Sequence, residues 1–243
     1  MADIIEEGVI KENGADISEE KRALLTEMAK AGIFYGRKKT KTHPKMKQFI
    51  YATRNGIEII DVAQTLKYLD AAADFLKKAA KEGQILIVGT QPSIKLSIEN
   101  FSKKHKFPYV VERWIGGTLT NFKIIRARVE YFIKMKEDKD AGRLGKYTKK
   151  ERLQIDRELE KMKLTYEGVR GMGTLPKALL VSDPIVHDTA VREAKRIGIR
   201  IIAIMSTDCD PDLVDYPIPA NASSKASVEW ILNYIDERIN SET

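Results

Sequence analysis

Cysteine is nearly absent from this sequence. Cys209 stands alone among 243 residues, so no internal disulfide and no C-x-x-C pair can form, and the usage fits a reducing compartment. Histidine is almost as scarce. His43, His105 and His187 lie far apart and share no ligand spacing, which argues against zinc. No apolar run reaches the roughly 18 residues that a membrane-crossing helix needs. The opening MADIIEEGVIKENGADISEEK holds acids and no apolar segment. Neither a secretory signal nor an Arg-rich transit peptide is expected, which leaves the cytoplasm, with no membrane partner. Phosphate-binding glycine motifs are missing too. The turn after Ile85–Thr90 reads Gly89-Thr90-Gln91-Pro92-Ser93, with neither G-x-G-x-x-G nor a P-loop. Gly171-Met172-Gly173-Thr174-Leu175-Pro176 begins like a dinucleotide fingerprint but ends in proline and precedes a strand, so a plain turn is the better reading. No G-x-S-x-G marks a nucleophile.

What is present is an ordinary globular composition, 43% hydrophobic and 32% charged, with a formal net charge of +7. Disorder throughout is excluded, and a chain this long can bury a large core without staples. The positive charge is concentrated. From Gly36 to Arg54 there are seven bases (Arg37, Lys38, Lys39, Lys41, Lys45, Lys47 and Arg54) and no acid. Between Glu112 and Glu130 there are four bases (Arg113, Lys123, Arg126 and Arg128) and again no acid. Patches of one sign are the footprint of a polyanion-binding surface.

Hydropathy patterning gives the organisation. Residues 1–17 are acidic and aperiodic and read as a tail. Ser18-Glu19-Glu20 caps an amphipathic helix with Leu24, Leu25 and Met28 inward. The basic stretch is expected to be a loop, broken by Gly36 and Pro44. Phe49–Thr53 and Ile57–Asp61 read as a hairpin around Arg54-Asn55-Gly56. Val62–Lys81 has helical period, stopped by Gly83. Ile85–Thr90, Ala178–Asp183 and Arg200–Met205 are continuous apolar runs, the pattern of strands buried on both faces. Helices are expected at Pro92–His105, Ile185–Ile197 and Ser223–Ile239, with a short strand at Tyr109–Glu112 and an edge piece at Tyr216–Pro219. Between residues 120 and 168 no strand appears. Phe122, Ile125, Val129 and Phe132 follow a 3-4-3 spacing, and Ile155, Leu159, Met162 and Tyr166 a 4-3-4 spacing, which predicts an antiparallel coiled-coil hairpin. The chain reads as one α/β core (18–119 and 169–240), a parallel sheet with helices on both faces, interrupted by a helical hairpin (120–168).

Two sets of residues invite chemistry. Asp208, Asp210, Asp212 and Asp215 begin like a calcium loop, but Leu213 stands where glycine is needed and Pro219 where the bidentate Glu is needed. Asp210-Pro211-Asp212 is better read as a turn with carboxylates on backbone N–H groups; weak Mg²⁺ binding stays open beside it. Asp61 or Asp183 at a strand end also fits a phospho-accepting fold, with a strand-ending turn as the plainer reading. The second set is basic and aromatic. The acid-free run is bracketed by Phe34, Tyr35, Phe49 and Tyr51, and Arg113-Trp114-Ile115-Gly116-Gly117 adds a guanidinium and an indole beside glycines. Cations bind phosphates, and aromatic and Arg planes stack on unpaired bases. The alternatives are a solvated surface for the lysines and a core position for Trp114. An RNA-facing surface through Arg37, Lys38, Lys39, Lys41, Lys45, Lys47, Arg54, Arg113, Trp114, Lys123 and Arg126 explains the most features together.

Several blocks resemble one family. They are Ala31-Gly32, Gly36, Pro44-Lys45-Met46-Lys47, Arg54-Asn55-Gly56-Ile57-x-Ile59-Ile60-Asp61, Val88-Gly89-Thr90, Arg113 through Phe122 (RWIGGTLTNF), Asp183-Pro184, and Cys209 through Asn221 (CDPDLVDYPIPAN). In this order they are similar to the second small-subunit ribosomal protein of bacteria. The resemblance implies a flavodoxin-like sheet with a protruding coiled-coil hairpin. It implies a non-catalytic role in translation, bound to small-subunit ribosomal RNA and neighbouring ribosomal proteins, the large mRNA-binding protein among them in many bacteria. No cofactor and no free homo-oligomer is expected. Phe34 and Arg37 stand where the family usually has histidines, and Ile185 and Val186 where it tends to have basic residues, so roles tied to those positions do not carry over. The competing expectations are a nucleotide-dependent enzyme on a Rossmann-like sheet, with the hairpin as a lid, and a free-standing RNA-binding regulator.

Overall fold

A computed structural model describes residues 19–241; the tail at 1–17 and the Ser18 cap fall outside them. The first helix, α1 (Glu19–Lys30), buries Leu25, Met28 and Ala29. Strands β1 (Tyr35–Lys38), β2 (Ile50–Arg54) and β3 (Ile57–Ile60) form a small antiparallel sheet in the order β1-β3-β2. The basic stretch is therefore not a plain loop. Its first residues are β1, and single 3₁₀ segments follow at Lys39–Lys41 and Pro44–Phe49. Pro44 opens the second segment, in the first turn, where N–H groups have no intrahelical acceptor and its missing one is no loss. The β2–β3 turn is as expected: Asn55 and Gly56 both have positive φ, 50° and 75°, the backbone of a two-residue type I′ turn.

The main sheet is built from β4 (Ile85–Val88), β5 (Tyr109–Val110), β6 (Ala178–Ser182), β7 (Arg200–Met205) and β8 (Tyr216–Pro219). All four pairings are parallel, in the order β5-β4-β6-β7-β8. The proline-bearing β8 lies at an edge, where missing N–H groups are tolerated. Side chains alternate between two cores. Ile85, Ile87, Leu180, Ile202 and Ile204 face one, covered by α1, α2 (Val62–Glu82), α3 (Lys95–His105) and α7 (Lys225–Asn240). Leu86, Val88, Leu179, Val181, Ile201 and Met205 face the other, covered by α6 (Asp188–Ile197), by Met46 and Phe49, and by the base of the hairpin. Each such side chain contributes about 1.5–3 kcal/mol by leaving water, which is why the sequence spends continuous aliphatic runs on these strands.

Two helices start three residues later than their periodicity suggests. Before α3, Ile94 N–H closes a turn on Gln91 O. Before α6, Asp183 takes a positive φ of 62°, and its carboxylate accepts from the N–H groups of Ile185 and Val186. That turn replaces the first helical turn. β5 is also shorter than expected and ends at Val110.

The inserted hairpin consists of α4 (Phe122–Asp140) and α5 (Lys149–Tyr166). Ile125, Val129 and Phe132 of α4 and Leu159 and Tyr166 of α5 are buried, the seam that the alternating spacing predicts. Lys139 pairs with Asp156 across the helices at 2.7 Å. Thr148 and Glu151 cap α5 reciprocally, Thr148 N–H donating to Glu151 Oε2 at 2.8 Å, which satisfies two otherwise orphaned donors. No helix among the described residues is long and apolar enough to cross a membrane.

Candidate nucleic-acid interface

In parallel sheets the rim beyond the carboxyl ends of the strands is where chemistry collects. Here the small sheet is docked onto that rim. Gly36 makes the docking possible: a Cβ on it would sit 2.6 Å from Thr207 Cγ2 and 2.9 Å from Glu58 O. The backbone N–H of Arg37 then donates to Thr207 Oγ1 at 2.9 Å, and His43 N–H to Thr207 O at 2.8 Å. The Arg37 guanidinium runs inward along the rim. Nη2 donates to Ser223 Oγ at 2.9 Å and to Asp183 Oδ2 at 3.4 Å, and Nε pairs with Asp208 Oδ2 at 3.4 Å. Gln91 Nε2 also donates to Asp183 Oδ2, at 3.1 Å. His187 is buried beside this cluster. Its Nδ1 lies 3.0 Å from Asp183 O, which can only accept, so Nδ1 carries the proton. Nε2 accepts from Thr90 N–H at 3.1 Å. Burial, the largest influence, holds the ring's pKa below its usual value, and the ring is neutral.

The expected RNA-binding residues divide into two groups. Arg37 faces inward as described. Lys45 Nζ lies 3.1 Å from Asp210 Oδ2 and 2.6 Å from Asp212 Oδ2. Two of the carboxylates considered for Mg²⁺, Asp210 and Asp212, therefore hold the protein's own ammonium, while Asp208 pairs with Arg37 and Asp215 with Arg200. Asp210 Oδ1 also accepts from Asp212 N–H at 3.0 Å, the turn expected of D-P-D. Arg126 donates to Glu130 Oε1 and to Gly173 O. Lys38, Lys39, Lys41, Lys47, Arg54, Arg113 and Lys123 are exposed and, among the described residues, without an ion-pair partner. The small sheet gathers three of them. Lys38 and Arg54 both register against Ile57 from opposite sides, placing them in one row about 10 Å wide. Lys39 joins them, its N–H donating to Gly56 O at 2.9 Å.

Trp114 belongs to a different construction. Glu193 on α6 is 8% exposed and collects a set of donors from the Arg113–Asn121 segment. Trp114 Nε1 (3.0 Å), Gly117 N–H (2.8 Å), Leu119 N–H (3.0 Å), and the N–H and Oγ1 of Thr120 (both 3.1 Å) all reach its carboxylate. Burial pushes its pKa up, but these donors outweigh burial and hold it below the usual value. The clamp fixes the segment from which α4 departs, and so sets Arg113 and Lys123 at the hairpin base. Sequence reasoning missed Glu193. The available signal is its place on α6, a charge on the same face as buried Ala190, Val191 and Ala194.

The family description "Ribosomal protein S2" matches residues 28–241. This chain belongs to that family. It is 43% identical over 216 residues to the small ribosomal subunit protein uS2 of Coprothermobacter proteolyticus, covering 88% of this chain and 81% of the relative. It is 42% identical over 217 residues to the uS2 of Dictyoglomus thermophilum, covering 89% and 88%. The uS2 of Nitratiruptor sp. is 38% identical over 216 residues, covering 88% and 81%. The family is one of structural, non-enzymatic proteins.

Two outcomes follow from these contacts. Glu193→Ala should lower unfolding free energy by about 2–4 kcal/mol in urea titration, because it leaves several partly buried donors unpaired. Quenching of Trp114 fluorescence by acrylamide should rise in the same variant. For His187 the folded pKa lies below the unfolded value of 6.5, so the unfolded state binds more protons in that window. Its stabilising contribution is complete above about pH 6.5 and is lost as pH falls from there through the folded value. Denaturation midpoints taken between pH 7.5 and pH 5 should therefore decline less steeply in His187→Gln than in the parent chain.

Proposed function

We propose that this protein is a structural constituent of the small ribosomal subunit in the cytoplasm, docking on small-subunit ribosomal RNA and on neighbouring subunit proteins without catalysing a reaction. Membership of the family supports the ribosomal role. The observation that carries the docking mode is the group of unpaired cations on and beside the small sheet: Lys38, Lys39, Lys41, Lys47 and Arg54. Lysines and arginines already engaged by carboxylates have little left to offer a phosphate. These five have no such competitor among the described residues, and the segment that bears them holds no acid. Each phosphate they neutralise releases counterions, so affinity falls steeply with salt. Arg113 and Lys123 supply a second contact at the hairpin base. The large mRNA-binding protein of the subunit is a partner in this reading.

The centre of the rim speaks against the enzyme reading. In flavodoxin-like sheets a nucleotide would lie over the strand ends, and here Arg37, Gln91 and the docked small sheet fill that rim.

The test is replacement of Lys38, Lys39 and Lys41 together by Glu. Competition with the parent chain during subunit reconstitution should show incorporation reduced about tenfold or more, with an unchanged melting temperature. The slope of log affinity against log salt should become shallower by roughly 2–3, about one per lost phosphate contact. Incorporation equal to the parent chain would remove the small sheet as a contact.

A further inference from the structure

We propose that the open face of the helical hairpin receives one unstacked guanine base of the subunit RNA. This deepens the RNA-docking reading and rests on it. The seam of the hairpin uses Ile125, Val129 and Phe132. Ile124 and Tyr131, two turns apart on α4, are left outside it, 53% and 49% exposed. With Ala127 between them and Met162 across on α5, they line an open groove of about 840 Å³. Among the described residues Tyr131 has no ring contact and no hydrogen bond, so one aromatic surface is free in an apolar slot.

The charges around the groove indicate what would lie in it. Lys123 and Arg128 stand at its rim, both exposed and without an acidic partner among the described residues. Arg126, which falls outside the groove, is tied to Glu130 and Gly173. Cations flanking a free aromatic are the arrangement that holds a phosphate backbone while a base stacks. The groove also contains Glu158, contributed by α5. Its carboxylate has no cation partner among the described residues. A carboxylate only accepts hydrogen bonds, so it repels phosphate and selects a base edge with adjacent donors. Guanine presents two on one edge, N1–H and the N2 amino group, parallel and suited to both carboxylate oxygens. Adenine and cytosine place a ring acceptor beside their amino group there. Uracil flanks its N–H with carbonyls.

The test measures binding of the full-length chain to two labelled single-stranded RNAs at fixed salt, a run of nine uridines and the same run with a central guanosine. The guanosine oligonucleotide should bind about tenfold tighter, as expected of one stacked and hydrogen-bonded base. Tyr131→Ala and Glu158→Gln should each remove most of that preference, and Tyr131→Phe should keep it. Equal affinity for the two RNAs, or a preference that survives both substitutions, overturns the proposal. If both RNAs bind with salt-sensitive affinity that Lys38/Lys39/Lys41→Glu abolishes, but without guanine preference, this inference fails and the docking reading stands. If neither binds at any salt, both fail. As a second measurement, ultraviolet cross-linking of assembled small subunits should place a guanosine adduct on the Val129–Lys134 peptide. A protein adduct there, with RNA adducts confined to residues 38–54, overturns the proposal.

Discussion

Five parallel strands covered on both faces leave a narrow choice of where anything else can happen. Their side chains are committed to two cores, so the sheet's own polar chemistry is confined to the rim where the strands end. In this chain the rim is closed by the protein itself. The small antiparallel sheet lies across it, held by close backbone approach at Gly36 and by the hydroxyl of Thr207. Arg37 then reaches along it to Asp183, Asp208 and Ser223. A fold that elsewhere opens a ligand crevice is used here as a rigid base for a surface.

The same arrangement sorts the charges. The basic segment makes two kinds of cation that composition does not tell apart. Arg37 and Lys45 find carboxylates contributed by residues some 146 to 171 positions away, and they fix the sheet to the core. Their neighbours Lys38, Lys39, Lys41 and Lys47 find none among the described residues. The inward pairs cost side-chain freedom and gain position, and the outward lysines keep their charge exposed to solvent. Because paired and unpaired residues alternate along one short segment, the unpaired ones are held at defined spacing rather than on a mobile tail.

Much of this architecture was legible in the residues. Strands buried on both faces announce themselves as continuous aliphatic runs, and the Asn55-Gly56 turn and the 3-4 spacing of α4 and α5 are local signals with local causes. The sequence pattern failed where the cause is distant. Nothing near Lys45 reveals Asp210 and Asp212, and nothing near Trp114 reveals Glu193, 79 positions away. Tyr35–Lys38 becomes a strand because β3 offers it partners, not because its own residues favour one. The late starts of α3 and α6 have a local cause instead, since a carbonyl or carboxylate two or three residues back captured N–H groups that periodicity had assigned to the helix. The list of cations was thus readable, and their division into inward and outward groups required the fold.

The Glu193 clamp has a mechanical side. A helix of 19 residues is about 28 Å long, so α4 acts as a lever whose fulcrum is the clamped segment. Tilting it by 5° at the base would move its far end by about 2.5 Å, close to the length of a hydrogen bond. The aim of the hairpin tip is therefore decided not at the tip but by one carboxylate on a helix behind the sheet, whose five short contacts govern how accurately a distant contact can be made.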